Sequence, residues 1–216
     1  MSDVKRTYEF TGETRKYMGH TLNRIRATTD LGYHDVKRGD IGGWIEREEN
    51  LEHGSAWVGD NAIVMDNGIV MDNAMIKGHT KVTDYAIVAG KAVVDDNVTV
   101  SDHAVIKGSS CGVKDNASIS GCATVTGNAT VSGNACVYEH AIVAEDAVVK
   151  DNASISGCAT VTGNATVSGN ACVYEHAIVA EDAVVKDNAS ISGCAAIVGE
   201  VVIDGNLNYA NNARLI

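Results

Sequence analysis

Residues 125–160 read VTGNAT, VSGNAC, VYEHAI, VAEDAV, VKDNAS, ISGCAT. Every group of six opens on Val or Ile and carries Ala in its fifth place. Strand side chains alternate in direction. If Val125 points inward, so does Ala123, while Thr124 and Thr126 point out. A period of six with two small apolar inward places is the pattern of a parallel β-helix. The register extends well beyond this stretch. Val58, Val64, Val70, Ile76, Val82, Val88, Val94, Val100 and Ile106 are each six apart. One extra residue falls within 107–112. The series resumes at Val113 and continues through Ile119 to Ile197, Ile203, Tyr209 and Leu215. Each short strand turns one corner and three corners close the section, so about 18 residues make one triangular coil. About 26 hexads, stacked at about 4.8 Å per coil, predict a prism roughly 40 Å long. The fourth place, Asn128 and its equivalents, is expected at the corner. Asn, Asp and His dominate there and tolerate left-handed backbone.

Composition agrees. The chain has 216 residues, no proline, 22 glycines and one phenylalanine. A narrow core of Val, Ile and Ala needs little aromatic bulk. The formal net charge of −11 argues against nucleic acid or an anionic membrane as partner. The segment MSDVKRTYEF lacks the apolar centre of a signal peptide, and no run approaches the ~20 apolar residues of a membrane span. A cytoplasmic location is expected. Five of the six cysteines, Cys122, Cys158, Cys194, Cys136 and Cys172, follow the repeat. Equivalent positions lie two coils, about 9.6 Å, apart, beyond disulfide reach, so all are expected as free thiols.

Residues 113–148 recur letter for letter as 149–184, and the first eleven residues of the block start again at 185–195. Natural repeats diverge at exposed places, and here even those are copied. Deliberate engineering or a very recent tandem duplication explains this, with engineering favoured. The copied block adds length rather than a new site.

Hexads such as VSGNAC at 131–136 and IKGHTK at 76–81 resemble the hexapeptide repeats of left-handed parallel β-helix proteins. The resemblance covers about residues 58–216. It implies the left-handed sense, since parallel crossovers are otherwise right-handed. TLNRIRATTDL at 21–31, DVKRGDIGGWIE at 35–46 and AWVGDNA at 56–62 are similar to the N-terminal region of bacterial and phage hexapeptide transferases. The expected fold is therefore all-β, a left-handed parallel β-helix over 45–216 with an N-terminal β-rich cap over 1–44. The cap does not keep the period, and a solenoid needs its open end covered. At the other end, Leu207 and Tyr209 are expected to plug the last section.

Residues 18 apart share a face. One face carries Lys77, Asp95, Lys114, Lys150, Lys186 and Asp204 and is expected to be solvated. A second is small and polar, with Cys136, Tyr138, Cys172 and Tyr174. The third carries Ile69, Met71, Ile87, Val105, Thr124, Thr126, Ile142, Ala144, Thr160, Thr162, Ile178, Ala180 and Val198, with Lys107 and Arg214 its only charges. Such a flat, nearly uncharged strip is the candidate oligomer interface. Ordinary sheet surface is the plainer reading. At one corner Asn116, Asn134, Asn152, Asn170, Asn188 and Asn206 stack, and their amides are expected to form a ladder. At the next, Cys122, His140, Cys158, His176 and Cys194 alternate. These are soft-metal ligand types, but a straight column offers ligands from one side only, so they are weak metal candidates.

The resemblance implies a runner-up activity, acyl transfer from acyl-CoA by a trimer with a histidine base between subunits. This chain departs from that pattern. It lacks the long acceptor loops. His140 and His176 are copies of one another, and His79 and His103 have no carboxylate partner by pattern. The Thr124–Val125–Thr126 and Thr160–Val161–Thr162 pairs resemble insect ice-binding helices, but the coils between them carry Ile142 with Ala144 and Ile178 with Ala180. The expectation is a structural solenoid that self-associates laterally, with no catalytic residues, cofactor or small-molecule substrate.

Overall fold

The structure, a computed structural model, describes residues 6–52 and 54–216. The first five residues of the expected cap, 1–44, lie outside the described residues. Three strands open the chain: β1 (Tyr8–Tyr17), β2 (His20–Ala27) and β3 (Ile41–Ile45). β1 pairs antiparallel with β2, and β2 antiparallel with β3. Beyond them the chain is a parallel β-solenoid. Its first turns contribute β4 (Trp57–Val58), β5 (Ile63–Val64) and β6 (Ile69–Val70) to three separate sheets. Each later turn adds one strand to each sheet. The sheets beginning at β4 and β6 have nine strands, and the sheet of β5 has twelve because β1–β3 continue it.

Pairing is in register at 18 residues: Val64 with Val82, Val70 with Val88, Val143 with Val161. The extra residue is absorbed at one corner. Val94 pairs with Val113 and Ile106 with Val125. Ser109 and Ser110 both direct their amides at the Gly127 carbonyl, at 3.1 and 3.5 Å. Cys111 then takes the inward small place, 1% exposed.

The core is two inward columns per face. First-place Val and Ile and fifth-place Ala are buried throughout, from Val58 and Ala62 to Ile197. Each buried valine contributes about 1.5–3 kcal/mol, and the alanines keep the section narrow. Thr80 stands in one alanine place, and its hydroxyl donates to the Val94 carbonyl. At the far end Tyr209 and Leu215 pack against the core, whereas Leu207 is 46% exposed.

The cap covers two surfaces. Tyr8, Ile25, Leu31 and Val36 join the core cluster over the first coil. Leu22, Trp44, Ile63 and Met65, with Tyr17 against them, form a second cluster. Gly42 and Gly43 permit this approach. A Cβ on either would stand 2.6 Å from the carbonyl oxygen of Val58 or Ala62.

The corners differ from the expectation in one respect. The left-handed residue is the third of the hexad, not the fourth. Asp60, Asp72, Asp102, Asp115, Glu139, Glu145, Asp151, Glu175 and Asp187 have positive φ, as do Gly121, Gly133, Gly157 and Gly169. The carboxylate of each of these nine acids accepts the amide hydrogen of the glycine one coil on, at 2.5–3.1 Å. The fourth place instead carries the expected amide ladder. Asn97 donates to Asn116, and the chain of bonds continues through Asn134, Asn152, Asn170 and Asn188 to Asn206 at 2.9–3.3 Å. Asn enrichment there reflects side-chain stacking, not backbone conformation.

In the copied block each corner alternates: Asp115 with Gly133, Gly121 with Glu139, Gly127 with Glu145. The natural unit of this helix is therefore two coils. Removing residues 149–184 should leave a folded, shorter protein, because stability is roughly a sum over neighbouring coils. Removing only 149–166 keeps the faces aligned but stacks Glu139 under Glu175 and Glu145 under Glu181. It also loses carboxylate–amide bonds worth about 1 kcal/mol each, by analogy with helix-capping acids. The one-coil deletion, although longer, is expected to melt at a lower temperature than the two-coil deletion by circular dichroism. The reverse order would show that the alternation carries no stability.

Candidate functional site

The candidate interface is the outer surface of the sheet that begins at β6. One row runs Ile69, Ile87, Val105, Thr124, Ile142, Thr160, Ile178, Ala196 and Arg214, each residue paired directly with the next. The parallel row holds Met71, Ala89, Lys107, Thr126, Ala144, Thr162, Ala180 and Val198. Its coil-to-coil spacing follows from the amides of Met71, Ala144 and Thr162 donating to Val88, Val161 and Val179. The candidate residues thus share one face. Most are half-buried by their neighbours. Ile142 and Ile178 stand out, 40% and 42% exposed. They alternate with Thr124 and Thr160, so the face is a ridge-and-dip profile repeating every two coils, about 9.6 Å. The adjacent face differs in kind: Lys77 pairs with Asp95 at 2.8 Å, and Lys186 lies near Asp204.

Cys122, His140, Cys158, His176 and Cys194 stand on one corner, one per coil and all exposed. Their amides continue the corner stacking; Cys122 donates to the Glu139 carbonyl and His140 to that of Gly157. His103 stacks on Tyr85, ring centroids 4.9 Å apart. His79 lines a groove of about 490 Å³ with Arg15, Tyr17, Asn61, Ile63, Lys81 and Asn97. Among the described residues neither histidine forms an ion pair with a carboxylate.

One grouping was not legible in the sequence. His20, Glu46 and Asp66 each place a potential ligand atom within 4.8 Å of the other two. His20 opens β2, Glu46 follows β3 and Asp66 occupies a left-handed corner after β5. The hydrogen bond to Glu46 and the charges of Glu46 and Asp66 raise the His20 pKa above its ordinary value. The same bond lowers that of Glu46. No local spacing signals the group, because its members are 20 and 26 residues apart.

No protein-family model matches this chain, and no curated protein matches it. Its chemistry therefore rests on its own geometry. No helix among the described residues is long and apolar enough to cross a membrane.

The thiols offer a direct check of the coil register. Cys122, Cys158 and Cys194 are exposed, Cys136 and Cys172 are half-buried, and Cys111 is buried. Desolvation raises the Cys111 thiol to about 12, and the thiolate is the reactive form. In native protein, a chromogenic disulfide reagent should modify the first three fast and the next two more slowly. Cys111 should react only after unfolding. Six thiols reacting at one rate would contradict the register.

Proposed function

We propose that this chain is a non-catalytic structural solenoid that associates laterally through the sheet beginning at β6. The finer reading is a left-handed hexapeptide-repeat helix lengthened by copying a two-coil block, by engineering or recent duplication. The observation that carries the association is the exposed Ile142 and Ile178 on a face whose only charges are Lys107 and Arg214. Their two-coil spacing makes the surface self-complementary. A second copy related by a two-fold axis, displaced by one coil, sets its isoleucine ridges over threonine dips, an isologous contact.

The area available is small. A strip about 40 Å long and about 13 Å wide buries roughly 500 Å² per partner. That is below the ~800 Å² per partner of a standard interface. Association in the micromolar range follows, with copying of coils extending the strip and tightening it.

Ile142→Lys combined with Ile178→Lys buries unpaired ammonium groups in the contact, which costs far more than the lost aliphatic area. This variant is expected to sediment as a monomer with an unchanged β-rich circular dichroism spectrum, its dissociation constant raised by about 100-fold or more. Lys150→Glu with Lys186→Glu, on the neighbouring face, should leave assembly intact. A wild-type chain that sediments as a monomer at tens of micromolar would refute the proposal.

A further inference from the structure

The junction of cap and solenoid gathers three groups of metal-ligand type. Three separate segments meet at His20, Glu46 and Asp66. The imidazole lies between the two carboxylates. Nδ1 is 3.0 Å from Glu46 Oε1, and Nε2 is 3.6 Å from Asp66 Oδ1. The side chains are 31%, 27% and 31% exposed, so they are fixed by neighbours yet open to water.

We propose that His20, Glu46 and Asp66 bind one divalent transition-metal ion of the zinc type, and that this ion staples the cap to the first coils. The donor set is one imidazole nitrogen and two carboxylate oxygens. That combination suits zinc, and also cobalt or manganese, rather than a thiophilic ion. The dimensions agree. Bonds of about 2.0–2.2 Å set ligand atoms roughly 3.3–3.6 Å apart around a tetrahedral ion. The carboxylates now meet different ring nitrogens, and one ion takes only one of them, so the carboxylate on the other nitrogen must swing toward it. The three donor atoms already lie within 4.8 Å of one another, about 1 Å wider than the bound spacing. Charge agrees as well. With a neutral imidazole the group carries two negative charges, which a divalent ion cancels, displacing any proton shared between His20 and Glu46. Water completes the coordination from the open side.

The Glu46 carboxylate, and the backbone that carries both acids, are held in place without the ion. Glu46 Oε2 accepts the Asp66 amide hydrogen at 2.7 Å. The Glu46 carbonyl accepts from Asn23 Nδ2 at 3.0 Å. The Asp66 carbonyl accepts from buried Asn50 at 3.1 Å and from the Arg47 guanidinium. Such supporting bonds hold ligands in place for an ion. The Arg47 guanidinium is committed to the Asp66 carbonyl and to Asn67 Oδ1, the latter at 2.6 Å. The exposed Cys122, Cys158 and Cys194 would compete as adventitious zinc ligands, so the test removes them.

The experiment uses the full chain carrying Cys122→Ser, Cys158→Ser and Cys194→Ser, stripped with chelator and titrated with Zn²⁺ by calorimetry and with Co²⁺ by visible absorption. The expected result is one equivalent bound with micromolar or better affinity. A raised melting temperature and slower amide exchange across β2 should accompany it. His20→Ala should weaken binding at least tenfold. So should Asp66→Asn, which keeps a residue tolerant of the left-handed corner and therefore the fold. Absence of stoichiometric binding, or equal affinity in both variants, would overturn the proposal and leave the group as an ion pair. If His20→Ala fails to fold, Asp66→Asn alone decides.

Discussion

A carboxylate in the third place of one hexad accepts the amide hydrogen of the residue stacked one coil above it, and the regularity of the whole prism depends on that contact. The corner residue must adopt left-handed backbone for the strand to turn. Its amide then points along the axis, toward the coil before it, rather than into a strand ladder. A short acid on that coil satisfies it. The other half of the arrangement is glycine. A Cβ on Gly121 would stand 2.6 Å from the Glu139 amide nitrogen, and one on Gly157 would meet Glu175 at the same distance. The backbone closes in at these corners because nothing is there to prevent it. Where acid follows acid, as from Asp84 to Asp102 and from Asp96 to Asp115, the bond lengthens to 3.3 and 3.2 Å. Alternation also separates like charges by two coils instead of one, which halves their repulsion at a given dielectric.

The same contact explains the length of the copied block. A single coil would suffice to repeat the core, since every inward place of the block is Val, Ile or Ala. It would not suffice to repeat the corners, which need an acid and a glycine in turn. Two coils are the smallest unit that continues all three corners, the asparagine ladder and the isoleucine–threonine alternation of the outer face together. Repeating that unit adds surface of the same kind and lengthens the solenoid.

The cap obeys different rules. Its strands run antiparallel and its apolar residues face two ways, toward the open first coil and around Trp44. The indole lies beneath two guanidinium groups, with Arg15 and Arg24 at 4.3 and 4.9 Å from the ring centroid. Cation–π contact and burial therefore seat the cap on one side, while the His20, Glu46 and Asp66 group lies where β2 and β3 meet the first coils. The solenoid is a sum of similar neighbours; the cap is a set of particular contacts.

That difference decides what could be read from the chain alone. The period of six placed the inward columns, the three faces and the inserted residue near Lys107–Gly112, because every hexad meets the same environment and so bears the same letters. The amide ladder was legible for the same reason. The left-handed place was misread by one residue: Asn at the fourth place serves its side chain, whereas Asp, Glu and Gly at the third serve the backbone, and composition does not separate the two. The cap was legible as a break in the period and no more. Tertiary structure alone decided which of its residues reach the solenoid, since His20, Glu46 and Asp66 are joined by strand pairing across three segments and by no spacing in the sequence. Repetition writes its geometry into every repeat, whereas a junction is made once and leaves no pattern.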